Sequence, residues 1–157
     1  MQAMPNTAGS CKRGEIKVNT SRFGRLSVQA DRIITMTSPL PGFPEARRFF
    51  LKAHGENSPF MWLQSLDDPE LAFVTIQAGF LHSRYDPEIS AATRQELQAT
   101  PEQALEILLI LTIPHGDPAG ITANLLGPVV LNPQQRLAKQ VVQDLARYDP
   151  RWPVKWC

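Results

Sequence analysis

Residues 60–76 read Phe-Met-Trp-Leu-Gln-Ser, then Leu-Asp-Asp-Pro-Glu, then Leu-Ala-Phe-Val-Thr-Ile. Two apolar runs rich in aromatic and branched residues flank a segment whose Asp and Pro residues favour a tight turn. A strand, a turn and a second strand are the expected result, at Phe60–Ser65 and Leu71–Ile76. In the first run Phe60, Trp62 and Gln64 share one face, and Met61, Leu63 and Ser65 share the other. Both faces hold large apolar side chains, so even an outward face is partly apolar. An exposed apolar patch of a few hundred Å² marks a partner surface.

Toward the N-terminus the same pattern recurs. Ile16 and Val18 alternate with Glu15, Lys17 and Asn19, and Leu26 and Val28 alternate with Arg25, Ser27 and Gln29. Arg22-Phe23-Gly24 between them predicts a hairpin. A short strand over Ile33–Met36 precedes Pro39, Pro41, Gly42 and Pro44, which forbid regular pairing because each proline lacks an amide hydrogen. Another strand is expected at Arg48–Ala53. Residues 1–13 read as a flexible leader without the apolar stretch of a signal peptide.

Toward the C-terminus, Ser90 or Thr93 is placed to cap a short helix ending near Leu97, Thr93 and Glu96 having capping-box spacing. Thr100-Pro101-Glu102-Gln103 reads as a single turn. Leu105–Ile113 is too continuous for a one-faced strand and predicts a central strand covered on both faces, a buried helix being the rival. Strands at Thr122–Leu131, with Pro128 marking a bulge or edge, and at Ala138–Gln143 follow. The tail 148–157 has no predicted placement. About eight or nine short strands and one or two short helices, with turn signals roughly every ten residues, predict a mainly β fold. The expected architecture is a compact antiparallel β-barrel-like single domain over residues 14–147.

Composition narrows the function. A domain of this length buries roughly 70% of the surface its unfolded chain exposes and needs no staples. Sixteen basic against 15 acidic residues leave a net charge of +1, which supplies no basic footprint for direct nucleic-acid binding. The apolar run at 105–113 falls far short of the ~20 residues of a membrane-spanning helix. Cys11 and Cys157 lie near opposite ends in segments expected to be loose, so a reduced, cytoplasmic protein is expected rather than a disulfide-stapled one.

Chemistry-bearing motifs are scarce. His54, His82 and His115 are far apart, with no metal-ligand spacing around them, so no metal site is expected. There is no nucleophile elbow and no phosphate-binding glycine loop, so neither an enzyme nor a cofactor is expected. Asp67, Asp68 and Glu70 could share a proton or hold a cation, but neighbouring carboxylates on a turn more often sit in water. Such a turn can still act as a recognition element without a perturbed pKa. Asn124, between apolar stretches, reads as a turn or bulge residue bonded to backbone, or as an interface polar group. Phe49, Phe50, Phe60, Trp62, Phe73 and Phe80 are expected in the core.

The stretch SPFMWLQSLDDPELAF at 58–73 resembles the signature of the FliW family. TSRFG at 20–24, IITMTSPLPGF at 33–43, TANLLGPVVLN at 122–132 and KQVV at 139–142 resemble further parts of it, in order, over about residues 14–145. The resemblance implies a β-barrel-like flagellar assembly factor, without catalytic activity, that binds flagellin. When free, such a protein binds the translational regulator CsrA away from its RNA-contacting surface and inhibits it allosterically. A monomer is expected. Carried over by position, the motifs place Gln64, Ser65, Asp67, Asp68 and Glu70 on one partner-binding stretch and Thr122, Asn124 and Leu125 on another, side by side, with Leu125 or Leu126 as an apolar anchor. The family is usually markedly acidic whereas this chain is near neutral, so attraction to a basic partner is expected to be local. The competing readings are a small-molecule-binding β-barrel, a hydrolase using Asp67 and Asp68, an RNA-binding barrel, and an interaction module unrelated to flagella.

Overall fold

The computed structural model describes residues 14–81, 84–115 and 117–154. The leader, Cys11, His82, Gly116, Trp156 and Cys157 lie outside them. Glu15–Thr20 (β1) and Gly24–Gln29 (β2) pair antiparallel from Glu15↔Gln29 to Thr20↔Gly24. The turn closes because Gly24 adopts φ +73°, a left-handed conformation open to a residue without Cβ. The Thr20 hydroxyl reinforces it, accepting from the Phe23 amide and donating to the Gly24 carbonyl.

The remaining main strands close on themselves. Ile34–Met36 (β3), Arg48–Ala53 (β4), Phe60–Ser65 (β5), Ala72–Gln77 (β6) and Glu106–Thr112 (β7) run antiparallel in chain order. Thr122–Ala123 (β8) branches off the end of β7, while Val129–Asn132 (β9) pairs with β7 and with Leu137–Gln140 (β10). β10 returns to β3 in parallel, through Leu137↔Thr35 and Ala138↔Met36. Seven strands thus form a barrel without a free edge, all antiparallel save at this seam. Trp152–Pro153 (β11) adds to β8.

The helix Ala91–Glu96 (α1) is capped by Ser90, whose hydroxyl accepts from the Thr93 amide. Its end is tied to the barrel by Asn132, fully buried, whose Nδ2 donates to the Leu97 carbonyl at 2.8 Å. A hydrogen bond from the Gln103 amide to the Thr100 carbonyl closes the expected single turn.

Alternation along each strand divides the apolar residues into layers. Ile34, Met36, Phe49, Leu63, Leu108, Val129, Leu131 and Ala138 fill the barrel interior. Outside, Ile76, Leu109, Leu111, Ile121, Ala123, Leu125 and Val154 form a second layer. β7 contributes Leu108 to one and Leu109 and Leu111 to the other, the two-sided burial its sequence predicts. The hairpin β1–β2 has no strand partner in the barrel; Val18 and Val28 rest on Phe50 on the outer face of β4, and the Ser21 amide donates to the Pro69 carbonyl at 2.9 Å. It also covers the outward face of β5. Trp62 meets Phe23 edge-on at 5.7 Å, and the Arg22 guanidinium lies 4.2 Å from the Trp62 ring centre.

Two expectations are corrected, and the tail, which the sequence leaves unplaced, is located. The single strand at Thr122–Leu131 is two, because Asn124 diverts the chain: its Oδ1 accepts from the amides of Leu126 and Gly127, both at 3.0 Å. Phe80, expected in the core, is 64% exposed in a short 3₁₀ turn at Ala78–Phe80. The tail packs onto the domain as far as Val154, whose amide donates to the Ile121 carbonyl, and Tyr148 stacks edge-on against Tyr85 at 4.9 Å.

Candidate protein-binding surface

The β5–β6 turn is rigid because its side chains are bonded inward. Ser65 Oγ accepts from the amides of Asp67 and Asp68, both at 2.9 Å. Gln64 Nε2 faces the carbonyls of Ser65, Leu71 and Pro69 at 3.0–3.4 Å. Asp67 reaches across to the start of β4. Its Oδ2 accepts from the amides of Arg47 and Arg48, and its Oδ1 takes a two-pronged bond from the Arg48 guanidinium at 2.9 and 3.1 Å. Burial alone would raise the Asp67 pKa, but the Arg48 and Arg47 amides and the Arg48 guanidinium outweigh it and hold the group below its ordinary value. Asp68 Oδ1 accepts from the Glu70 amide. Asp68 and Glu70 are exposed at the tip, and the Glu70 carboxylate has no ion-pair partner among the described residues.

Of the positions singled out in the sequence, Asp67, Asp68 and Glu70 form one exposed acidic turn. Gln64 and Ser65 are 0% exposed and Leu125 is 2% exposed. Their side chains shape the turns from beneath rather than face outward, which corrects the expectation that they lie on the surface. The Leu125 carbonyl is held by the Tyr85 hydroxyl at 2.6 Å, and burial, with Tyr148 nearby, pushes that phenol above the ordinary tyrosine range. Thr122 is half-buried, opposite Thr112 on one side and Pro153 on the other. Asn124 is half-buried and borders a hollow of about 320 Å³.

The two stretches do not share a hollow. Asp67 and Asp68 line a second one, of about 340 Å³, and Phe43 belongs to both. Phe43 is the residue that the motif reading missed. It sits 37% exposed on the proline loop and meets Phe73 edge-on at 5.5 Å, with Gly42 at φ +88° turning the chain behind it. The available signal was a large aromatic between Gly42 and Pro44, in a segment that prolines keep out of the sheet.

No group of His, Cys, Asp or Glu among the described residues is arranged to hold a metal ion, and no helix among them is long and apolar enough to cross a membrane. Asp67 is committed to Arg47 and Arg48. The arrangement offers carboxylates on an ordered turn beside an exposed aromatic.

A family model described as FliW protein matches residues 17–155. The flagellar assembly factor FliW of Geobacter sulfurreducens is 38% identical over 138 residues, 88% of this chain and 86% of that protein. The flagellar assembly factor FliW of Magnetococcus marinus is 36% identical over 139 residues, 88% of this chain and 85% of that protein. A crystal structure of the flagellar assembly factor FliW aligns with TM-score 0.80 at 31% identity, covering 90% of this chain and 98% of that one.

Proposed function

The chain belongs to the FliW family, and from that premise we propose that it is a cytoplasmic, non-enzymatic flagellar assembly factor that binds flagellin and, when free of it, binds and allosterically inhibits CsrA. The observation that carries this reading is the β5–β6 turn. Asp67 locks it to β4, so the turn backbone that carries Asp68 and Glu70 is already ordered when a partner arrives, which lowers the cost of binding. Complementary charge at such a turn steers encounter with a basic protein. The barrel interior is filled by side chains from Ile34 to Ala138, which favours an outward-acting protein over a ligand-holding barrel.

Control then needs only mass action. If flagellin and CsrA exclude one another, flagellin above its dissociation constant removes the factor from CsrA. Inhibition of CsrA away from its RNA surface requires tighter binding to the RNA-incompetent state, since equal affinity for two states shifts neither. Titration calorimetry with purified flagellin and CsrA tests the reading. Glu70→Lys weakens CsrA binding by about 1–3 kcal/mol while the domain stays folded. Asn124→Ala does the same, and Asn124→Asp separates its two roles by keeping the acceptor of the 124–127 turn while removing the side-chain donor. A wild-type protein that binds neither flagellin nor CsrA overturns the proposal.

A further inference from the structure

The hollow beside Asn124 is an open end of the barrel. Phe73 and Ile110 belong to the inward-facing side of β6 and β7, and here they form its floor, with Leu40, Phe43, Leu126 and Val142 around them. No charged residue lines it. Two apolar side chains stand exposed at its rim, Phe43 at 37% and Val142 at 75%. Two polar side chains line it: with Asn124 Oδ1 committed to two amides, its Nδ2 has no acceptor among the described residues. Gln140 Nε2 donates to the Gly127 carbonyl.

Each rim residue leads into an acidic neighbour. Phe43 borders the hollow that contains Glu45, Asp67 and Asp68. Val142 borders a larger one, about 760 Å³, lined among the described residues by Asp86, Glu88, Asp144 and Arg147, which pairs with Glu88 at 3.2 Å. Beside the first hollow Arg48 pairs with Asp67, while Arg47, bonded to the carbonyls of Met36 and Thr37, keeps its charge and offsets one of the two remaining carboxylates. An uncharged apolar mouth therefore lies between two flanks with excess negative charge.

We propose that this strip is a docking groove for a polypeptide segment that inserts an apolar side chain at the barrel mouth and places basic residues on both sides of it. The proposal rests on the reading that the chain acts by binding polypeptides, and it gives that surface an apolar centre, Phe43 and Val142, which the acidic turn lacks. Burial of an apolar anchor supplies affinity, while the two acidic flanks select against acidic or neutral segments. A main-chain carbonyl of the docked segment completes Asn124 Nδ2.

The test uses the full chain and a dye-labelled peptide with leucines at its centre and paired lysines at both ends, read by fluorescence anisotropy. A second peptide replaces the lysines with glutamate, and a third replaces the leucines with serine. The lysine–leucine peptide binds, more weakly as salt rises, and the other two bind at least about tenfold less tightly. Val142→Glu, at an exposed position that leaves the fold intact by thermal melting, weakens the lysine–leucine peptide by about tenfold or more, as does Phe43→Ala. Absence of binding by that peptide, equal binding of the glutamate peptide, or unchanged affinity in both variants overturns the groove. Self-association lost in Val142→Glu without peptide binding also overturns it, in favour of a second copy as occupant. Flagellin and CsrA titrated against the same variants keep the two claims apart. If wild type and Val142→Glu bind either protein equally, the groove falls and the proposed function stands. If neither protein binds wild type while the peptide does, the proposed function falls and the groove stands.

Discussion

Replacing Asp67 by Asn keeps the shape of the side chain and removes the charge on which its four hydrogen bonds depend. Hydrogen bonds to a charged group contribute about 1.5–3 kcal/mol each in net terms when buried. The Asp67 side chain is 24% exposed and Arg48 51%, so the guanidinium pair falls near the surface range of about 0–1 kcal/mol. The two amide bonds dominate, and an asparagine carbonyl retains part of them. A loss of about 1–3 kcal/mol follows for Asp67→Asn, or roughly 2–12 °C in melting temperature for a domain of this size. Arg48→Ala costs less than about 1 kcal/mol. The pH dependence has a definite sign. Because the folded pKa lies below the ordinary value, the carboxylate contributes stability above the unfolded pKa of about 3.9, and the contribution is lost as pH falls through the folded value. Urea unfolding followed by circular dichroism from neutral to acid pH checks both points, and the curve for Asp67→Asn is flatter there than that of wild type. An Asp67→Asn protein within about 0.5 kcal/mol of wild type at pH 7, with an unchanged acid limb, refutes the claim that this carboxylate locks the turn.

Leu108→Ala removes a side chain from the filled barrel interior and lowers stability by about 2–5 kcal/mol in denaturant titration. Arg22→Ala leaves the Phe23–Trp62 contact in place and loses only the cation over the ring, costing about 0.5–1 kcal/mol by the same measurement. Tyr85, held at the Leu125 carbonyl, stays protonated at about pH 11, where a model tyrosine of pKa about 10 has largely ionised. A Tyr148→Phe variant, whose sole tyrosine is then Tyr85, shows little phenolate absorbance at that pH while folded and regains it in denaturant.

Much of the strand pattern is legible because local rules and tertiary packing agree. Alternation at 15–19 and 25–29 survives as a hairpin with one face on Phe50, and the continuous apolar run at 105–113 is covered on both sides. Where a side chain competes for the backbone, the reading fails. Asn124 takes two amides that a strand would have used, so the apolar stretch that follows begins a new element. Gln64 and Ser65 look like surface residues by type, yet they are enclosed because the turn needs their donors and acceptors beneath it. Trp62 stands on the outer face of β5 for a reason outside the strand itself: Arg22 and Phe23 of the hairpin pack over it. Phe43 escaped notice because proline-rich loops carry no periodicity from which a facing direction can be read.

The parallel seam has a consequence for how the molecule is made. Thr37 and Ala138, which meet there, stand 101 positions apart in the chain, so most of the polypeptide must be synthesised before the ring of strands can complete. Contacts of such sequence separation slow folding, on the order of milliseconds to seconds for β topologies. Until Leu137–Gln140 emerges, β3 keeps a vacant edge on the nascent chain, ready to mispair with a neighbour. The closed barrel therefore arrives late in translation, and all at once.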